Sequence, residues 1–274
     1  MRKINLFLSF AATCLILYGP VSCISAVKED PQRVSLCTIG EPVETDGYCR
    51  LALVVGVGKY RSEKVNGLLG PPNDARRVYD LLTGKNGYGF PKENVCLLLD
   101  EDATTARFKE VFEKALVERA TENDVVVFYF AGHGSQARDR NGDEPDEWDE
   151  TLMFHDARTP GVGDLVDDEL NGMLARLGSK TRNITSILDS CNSGTADRGP
   201  SAGTFVARFQ PPDETGETER TIAVAGEGAT GWVPETISGM VVLSAATDGT
   251  SALERGGQGL FTDALLEVLG QVGN

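Results

Sequence analysis

The sequence predicts an α/β protein of three layers, a mostly parallel β-sheet held between helices. Two observations carry this. Short, unbroken apolar runs recur at "LALVVGV", "VCLLL" and "VVVFYF", and a further strand-like segment at "ITSIL". A strand buried on both faces reads as a continuous run, whereas a half-exposed one alternates. Between these runs lie segments with helical periodicity, and strands that alternate with helices imply parallel crossovers. A length of 274 residues without internal repeats suits one large domain.

The elements follow in order. Arg2 and Lys3 precede an apolar stretch from Leu6 to Tyr18 and then small residues, so residues 1–26 read as a secretory signal and the protein as exported. The stretch is short for a membrane span. Cys23 is a candidate lipid-attachment residue, although Pro20 departs from the usual aliphatic position; membrane contact is expected only through such an anchor. Residues 27–48 lack a period and read as a leader. From 49 to 274 the chain reads as one domain. Its first strand is Leu51–Val57, whose Gly56 and Gly58 match neither nucleotide-loop pattern. "PPNDARRVYDLLTG" is a helix with Asn73 or Asp74 as cap and Gly84 as stop. "NVCLLLD" is a strand and "TTARFKEVFEKALVERA" an amphipathic helix. After "VVVFYF" comes an acidic loop, then the helix "DDELNGMLARLG" and the strand "ITSILDS". Residues from about 195 to 234, rich in Gly, Pro, Thr and charge, read as an exposed insert. "MVVLSAAT" and "LFTDALLEVLG" supply a last strand and helix.

The formal charge is −15, and becomes −17 once Arg2 and Lys3 leave with the signal. So acidic a surface repels phosphates and excludes nucleic acid as the expected partner. It suits cations or a basic substrate. Four cysteines follow residue 26. Cys37 and Cys49 flank a polar loop and are one candidate pair for a bridge in an oxidising compartment, with Cys96 read as a buried strand residue. Cys191 lies among small residues expected to leave its sulfur open.

Two strand ends carry the chemistry. "FYFAGHG" ends at His133 and "ILDSC" ends at Cys191, 58 residues later. Open α/β sheets place ligands beyond the carboxyl ends of their strands. If the two strands are neighbours, an imidazole meets a thiol that it can deprotonate. The backbone N–H groups of Gly134 and Cys191 are then placed to hold an oxyanion. Two histidines in the whole chain leave no zinc site at the expected spacing. His155 reads as a loop or pocket residue.

"FYFAGHGSQ" and "ILDSCNSG" resemble the paired histidine and cysteine motifs of metacaspases and their bacterial relatives, the orthocaspases. The likeness runs from about Cys49 to Gly199 and resumes at "VVLSAATDGTSALE". It implies a caspase-like α/β/α sandwich and a cysteine endopeptidase with Cys191 as nucleophile and His133 as base and acid. It further implies Asp189 and Asp74 as the acidic walls of a pocket for Arg or Lys at the cut site. Asn192 departs from the family, in which histidine is frequent there. The EF-hand reading of "DRNGDEPDEWDE" fails, because Glu144 stands where glycine is needed. The resemblance instead implies calcium as cofactor, held by Asp149, Asp167, Asp168 and Asp197. Arg198, Arg208 and Arg220, in the insert, are candidate sites of self-cutting. The rival readings are a catalytically silent, calcium-responsive binding module on the same fold, and a cysteine enzyme of another specificity.

Overall fold

The computed structural model describes residues 35–142, 144, 146–191, 205–212, 237–246 and 250–272. Its centre is a parallel sheet of β2 (Tyr48–Gly56), β3 (Val95–Leu99), β4 (Val125–Ala131), β8 (Asn183–Asp189) and β10 (Val241–Ser244), in the order β3-β2-β4-β8-β10. A short hairpin strand β1 (Glu44–Thr45) pairs antiparallel with the start of β2.

Each apolar run is divided between two cores, as the period of a pleated strand requires. Leu51, Leu53 and Val55 of β2, Phe128 and Phe130 of β4, and Leu188 of β8 face one side. There they meet Phe108 and Val111 of α2 (Thr105–Val111), which widens into a π-helical turn over Phe112–Val117, and Leu170, Leu174 and Leu177 of α3 (Asp167–Gly178). Ala52, Val54, Tyr129, Ala131 and Ile187 face the other side, against Ala75, Val78, Tyr79 and Leu82 of α1 (Gly70–Thr83) and Phe261 and Leu265 of α4 (Leu260–Val272). The expected three layers are therefore present. Phe108 anchors the first core, stacked on Phe154 at 4.5 Å and touching Phe112 and Phe128.

Three local expectations are corrected. Helix α1 begins at Gly70, ahead of Asn73 and Asp74, because Pro71 and Pro72 fit a first turn that needs no N–H donors. The carboxylate of Glu254 accepts from the N–H groups of Leu69 and Gly70, each at 3.0 Å, and does the capping from a distant strand. Gly56 serves the close approach of this helix, since a Cβ there would lie 2.4 Å from the Pro71 carbonyl oxygen. The disulfide joins Cys37 to Cys96, not Cys49. Leu36 lies antiparallel to Leu97 on the outer edge of β3, which brings Cys37 to Cys96. Cys49 is a buried free thiol in β2. Finally, the region read as an acidic loop contains a small antiparallel sheet, β5 (Gly134–Arg138), β6 (Trp148–Leu152) and β7 (Leu165–Val166).

Candidate active site

Strands β4 and β8 are direct neighbours, with Ala131 opposite Asp189. Two residues further along each chain stand His133 and Cys191, so the topology delivers both to the same sheet edge. The His133 backbone N–H donates to Tyr60 Oη at 2.8 Å, and Tyr60 Oη donates to the Val57 carbonyl at 3.1 Å. Nε2 lies 2.9 Å from the Asn66 carbonyl oxygen. A carbonyl only accepts, so Nε2 carries the proton and Nδ1 keeps its lone pair. Nδ1 is buried and makes no hydrogen bond among the described residues. Burial pushes the imidazole down to about 4, against a partial upward pull from the Asn66 and Arg208 backbone. The ring is thus a neutral base at neutral pH.

The thiol of Cys191 is fully buried, contrary to the open sulfur expected from its small neighbours. It accepts from the Ala252 N–H at 2.6 Å and lies 3.3 Å from the Ala252 carbonyl oxygen. Burial, the largest influence, raises its pKa. What covers the site is a part of the insert. Strand β9 (Phe205–Ala207) pairs antiparallel with β11 (Leu253–Arg255), which also pairs with β12 (Gln258–Gly259). The next residue, Arg208, donates its N–H to the Ala252 carbonyl at 2.9 Å. Its own carbonyl oxygen receives the N–H of Gly134 at 3.0 Å and the N–H of Cys191 at 3.2 Å. The two donors expected to hold an oxyanion thus converge on one peptide carbonyl of this chain.

The Arg208 side chain, expected in an exposed loop, is fully buried between the two aspartates singled out from the sequence. Nη2 meets Asp74 Oδ2 at 2.5 Å and Nη1 meets Asp189 Oδ2 at 2.8 Å. Two separate carboxylates thus grip the two ends of one fork. Burial works against the guanidinium charge, but Asp189 and then Asp74 outweigh it and raise the Arg208 pKa. Burial also raises the Asp74 carboxyl to about 6, with Arg208 drawing it down from a higher value.

Sequence reasoning missed several members of this pocket. Glu254 Oε2 stands 3.5 Å from Arg208 Nη2, a third carboxylate. Thr262 Oγ1 donates to Asp189 Oδ2 at 2.5 Å and pairs with Tyr129 Oη at 2.7 Å. At Gly259 a Cβ would fall 2.6 Å from Asp189 Oδ2 and 2.7 Å from Arg208 Nη2, so the guanidinium fits only beside a glycine. An isolated Glu or Gly in "ALERGGQGLF" carries no local sign of such a role. His155 is structural, with Nδ1 2.8 Å from the Lys59 carbonyl oxygen.

The acidic residues expected to hold calcium are only partly gathered. Carboxylate oxygens of Glu144, Glu150 and Asp167 lie within 4.8 Å of one another. Asp167, at the start of α3, is 1% exposed and pushed up to about 8 by burial first, then by Glu150, Asp149, Asp168 and Glu144. Asp149 and Asp168 therefore border the group by charge, and Asp168 Oδ2 accepts from Asn141 Nδ2 at 2.7 Å. Asp197 lies outside the described residues, as do Asn192, Arg198 and Arg220.

A histidine and a cysteine just past the ends of adjoining parallel strands, beside an acidic pocket, define a caspase-like protein. Residues 50–198 match the metacaspase, peptidase C14 domain, and the chain belongs to that family. It is 30% identical to Metacaspase-1 of Saccharomyces cerevisiae over 186 residues, covering 65% of this chain and 41% of that protein. It is 38% identical to Metacaspase-2 of Arabidopsis thaliana over 149 residues, covering 53% and 34%. The chain thus spans about two-fifths or less of these relatives. A solved protein of Geobacter sulfurreducens shares the fold, with a TM-score of 0.57, 22% identity, and coverage of 82% of this chain and 83% of that one.

Proposed function

We propose that this protein is a cysteine endopeptidase that cuts after arginine, and more weakly after lysine, and that its first substrate is its own Arg208–Phe209 bond. The observation that carries the reading is Arg208 itself. Its guanidinium fills the acidic pocket while its carbonyl rests on the N–H groups of Gly134 and Cys191. Lysine has a single charged nitrogen and cannot span Asp74 and Asp189 as a fork does. An aspartate at the cut site would be repelled by three carboxylates.

The chemistry follows from the placement. His133 Nδ1 takes the Cys191 proton, and the sulfur attacks the arginine carbonyl carbon. The oxygen gains negative charge against two N–H donors already in position. Collapse breaks the C–N bond, and the imidazolium returns its proton to the departing amine of Phe209. Water, deprotonated by the same imidazole, then releases the thioester. Until the cut occurs, the insert denies other chains access to the site.

Calcium fits the Glu144, Glu150 and Asp167 group, which offers hard oxygen ligands around buried negative charge. The ion would supply positive charge there, fastening the region before β6 to the start of α3. The Cys37–Cys96 bridge supports an exported protein, since such bonds persist in oxidising compartments.

The test is hydrolysis of matched peptides with Arg, Lys or Asp at the cut site, with calcium and with chelator. Cleavage after Arg above Lys, absent for Asp and abolished in Cys191→Ala, supports the reading. Absence of any cysteine-dependent cleavage favours a silent binding module on this fold.

A further inference from the structure

We infer that the site extends past the scissile bond into a primed-side subsite, built by Gly134, the Lys64 carbonyl and Arg158, which takes at least three residues of polypeptide after the cut arginine. The inference rests on the reading of Arg208 as a bound substrate residue but concerns contacts on the far side of the scissile bond. Gly134 straddles the bond to be cut. Its N–H holds the Arg208 carbonyl, and its own carbonyl accepts from the Gln210 N–H at 3.0 Å, so the start of β5 forms a parallel bridge with Phe209. The Gln210 side chain donates through Nε2 to the Lys64 carbonyl at 3.1 Å.

Arg158 completes the subsite. Its Nη1 donates to the Pro211 carbonyl oxygen at 2.6 Å. The rest of the guanidinium is pinned from behind, with Nη2 on Asp164 Oδ2 at 3.0 Å and on Ser135 Oγ at 2.6 Å, and Nε on Asp164 Oδ2 at 3.3 Å. The Arg158 side chain is 6% exposed and Asp164 is 3% exposed, so this is no loose surface arginine. Arg158 also holds a left-handed backbone, φ 58°, which a side chain adopts at a cost and which tends to persist where a site over-determines it. The result is a donor fixed in advance, aimed at the third carbonyl after the cut. None of these groups touches the acidic pocket.

Recognition here is through main-chain atoms, apart from the Gln210 amide, so the ligand class is an extended polypeptide of broad sequence. Contacts remote from the reacting atoms raise turnover when they hold the scissile bond in register. The expected consequence is a split between substrates. Peptides continuing three residues past Arg should be cut at least tenfold more efficiently, by kcat/KM, than an arginine coumarylamide, which ends at the scissile bond.

The experiment measures kcat/KM for the self-cut protein on three substrates sharing residues up to Arg: the coumarylamide, a peptide ending two residues beyond, and one ending four beyond. In the unaltered protein, the step from two to four residues should raise kcat/KM about tenfold. Arg158→Ala should remove that step, bringing the ratio of kcat/KM for the four-residue and two-residue peptides to about one, and Arg158→Lys should restore part of it. If the step is absent in the unaltered protein, the subsite is refuted, whatever Arg158→Ala does to folding. Equal loss on all three substrates in a folded Arg158→Ala also refutes it, by assigning the residue a structural role. Failure to cut even the coumarylamide in a Cys191-dependent manner would strike the peptidase reading itself, and so the two failures are distinguishable.

Discussion

Asp189→Asn is the sharpest perturbation of the acidic pocket, because it keeps shape and removes charge. Asp189 Oδ2 meets Arg208 Nη1 at 2.8 Å with both side chains fully buried. Removing one partner of a buried, hydrogen-bonded charge pair costs ~2–5 kcal/mol. Asp74 remains against Nη2, and Glu254 stands near it, so the lower part of that range applies here, about 2–3 kcal/mol. At 1.36 kcal/mol per tenfold, the expected loss is about 30- to 150-fold in the first-order rate of cutting after Arg208. The same variant should lose a similar factor in kcat/KM on arginine peptides, while hydrolysis of a peptide with a neutral cut-site residue stays near its low basal level. The assay is a time course of self-cutting by gel and mass spectrometry, beside the peptide panel. An Asp189→Asn protein that cuts after arginine within threefold of the unaltered rate would refute the pocket as the source of specificity.

Other consequences are testable together. Cys191 in the uncut chain should resist iodoacetamide, whereas Arg208→Ala, which leaves the pocket carboxylates without their cation, should raise alkylation of that peptide at least tenfold. Arg208 lowers the Asp74 pKa on docking, to about 6 in the docked state. Its docking is therefore present above that value and lost as pH falls through it, and self-cutting should decline below pH ~6, well above the ~4 at which His133 would charge. Calcium should raise the melting temperature, and Asp167→Asn should abolish the shift. Cys96→Ser removes a bridge closing a span of 59 residues and should cost about 4 kcal/mol in the chain-entropy account, read by urea unfolding.

The sheet and its helices were legible because both-face burial leaves unbroken runs such as "VVVFYF" that few other structures produce. The placement of His133 and Cys191 at one sheet edge was legible too, once the runs ending there were taken as neighbouring parallel strands, and motif likeness singled out Asp74 and Asp189. What stayed hidden depends on contacts between distant segments. The bridge from Cys37 to Cys96 follows from Leu36 lying along the β3 edge, which no local pattern announces. "GSQAR" and "WDETL" are too polar to read as strands, yet pair with each other as β5 and β6 directly after His133. Glu254 caps α1 across 184 residues of sequence, and the same carboxylate lines the arginine pocket. Composition set the insert apart from the rest of the domain. It could not show that residues 205–208 run along β11 to the Gly134 and Cys191 N–H groups, because that depends on β11 offering an open edge.

Arg208 is proposed to lie in the site as the residue after which the chain cuts itself. Mapping the fragments of purified protein by mass spectrometry, beside Cys191→Ala, tests it directly. The expected result is a new amino terminus at Phe209 in the unaltered protein and an intact chain in Cys191→Ala. A chain that stays whole while cutting arginine peptides, or that cuts elsewhere with Arg208–Phe209 intact, would contradict it.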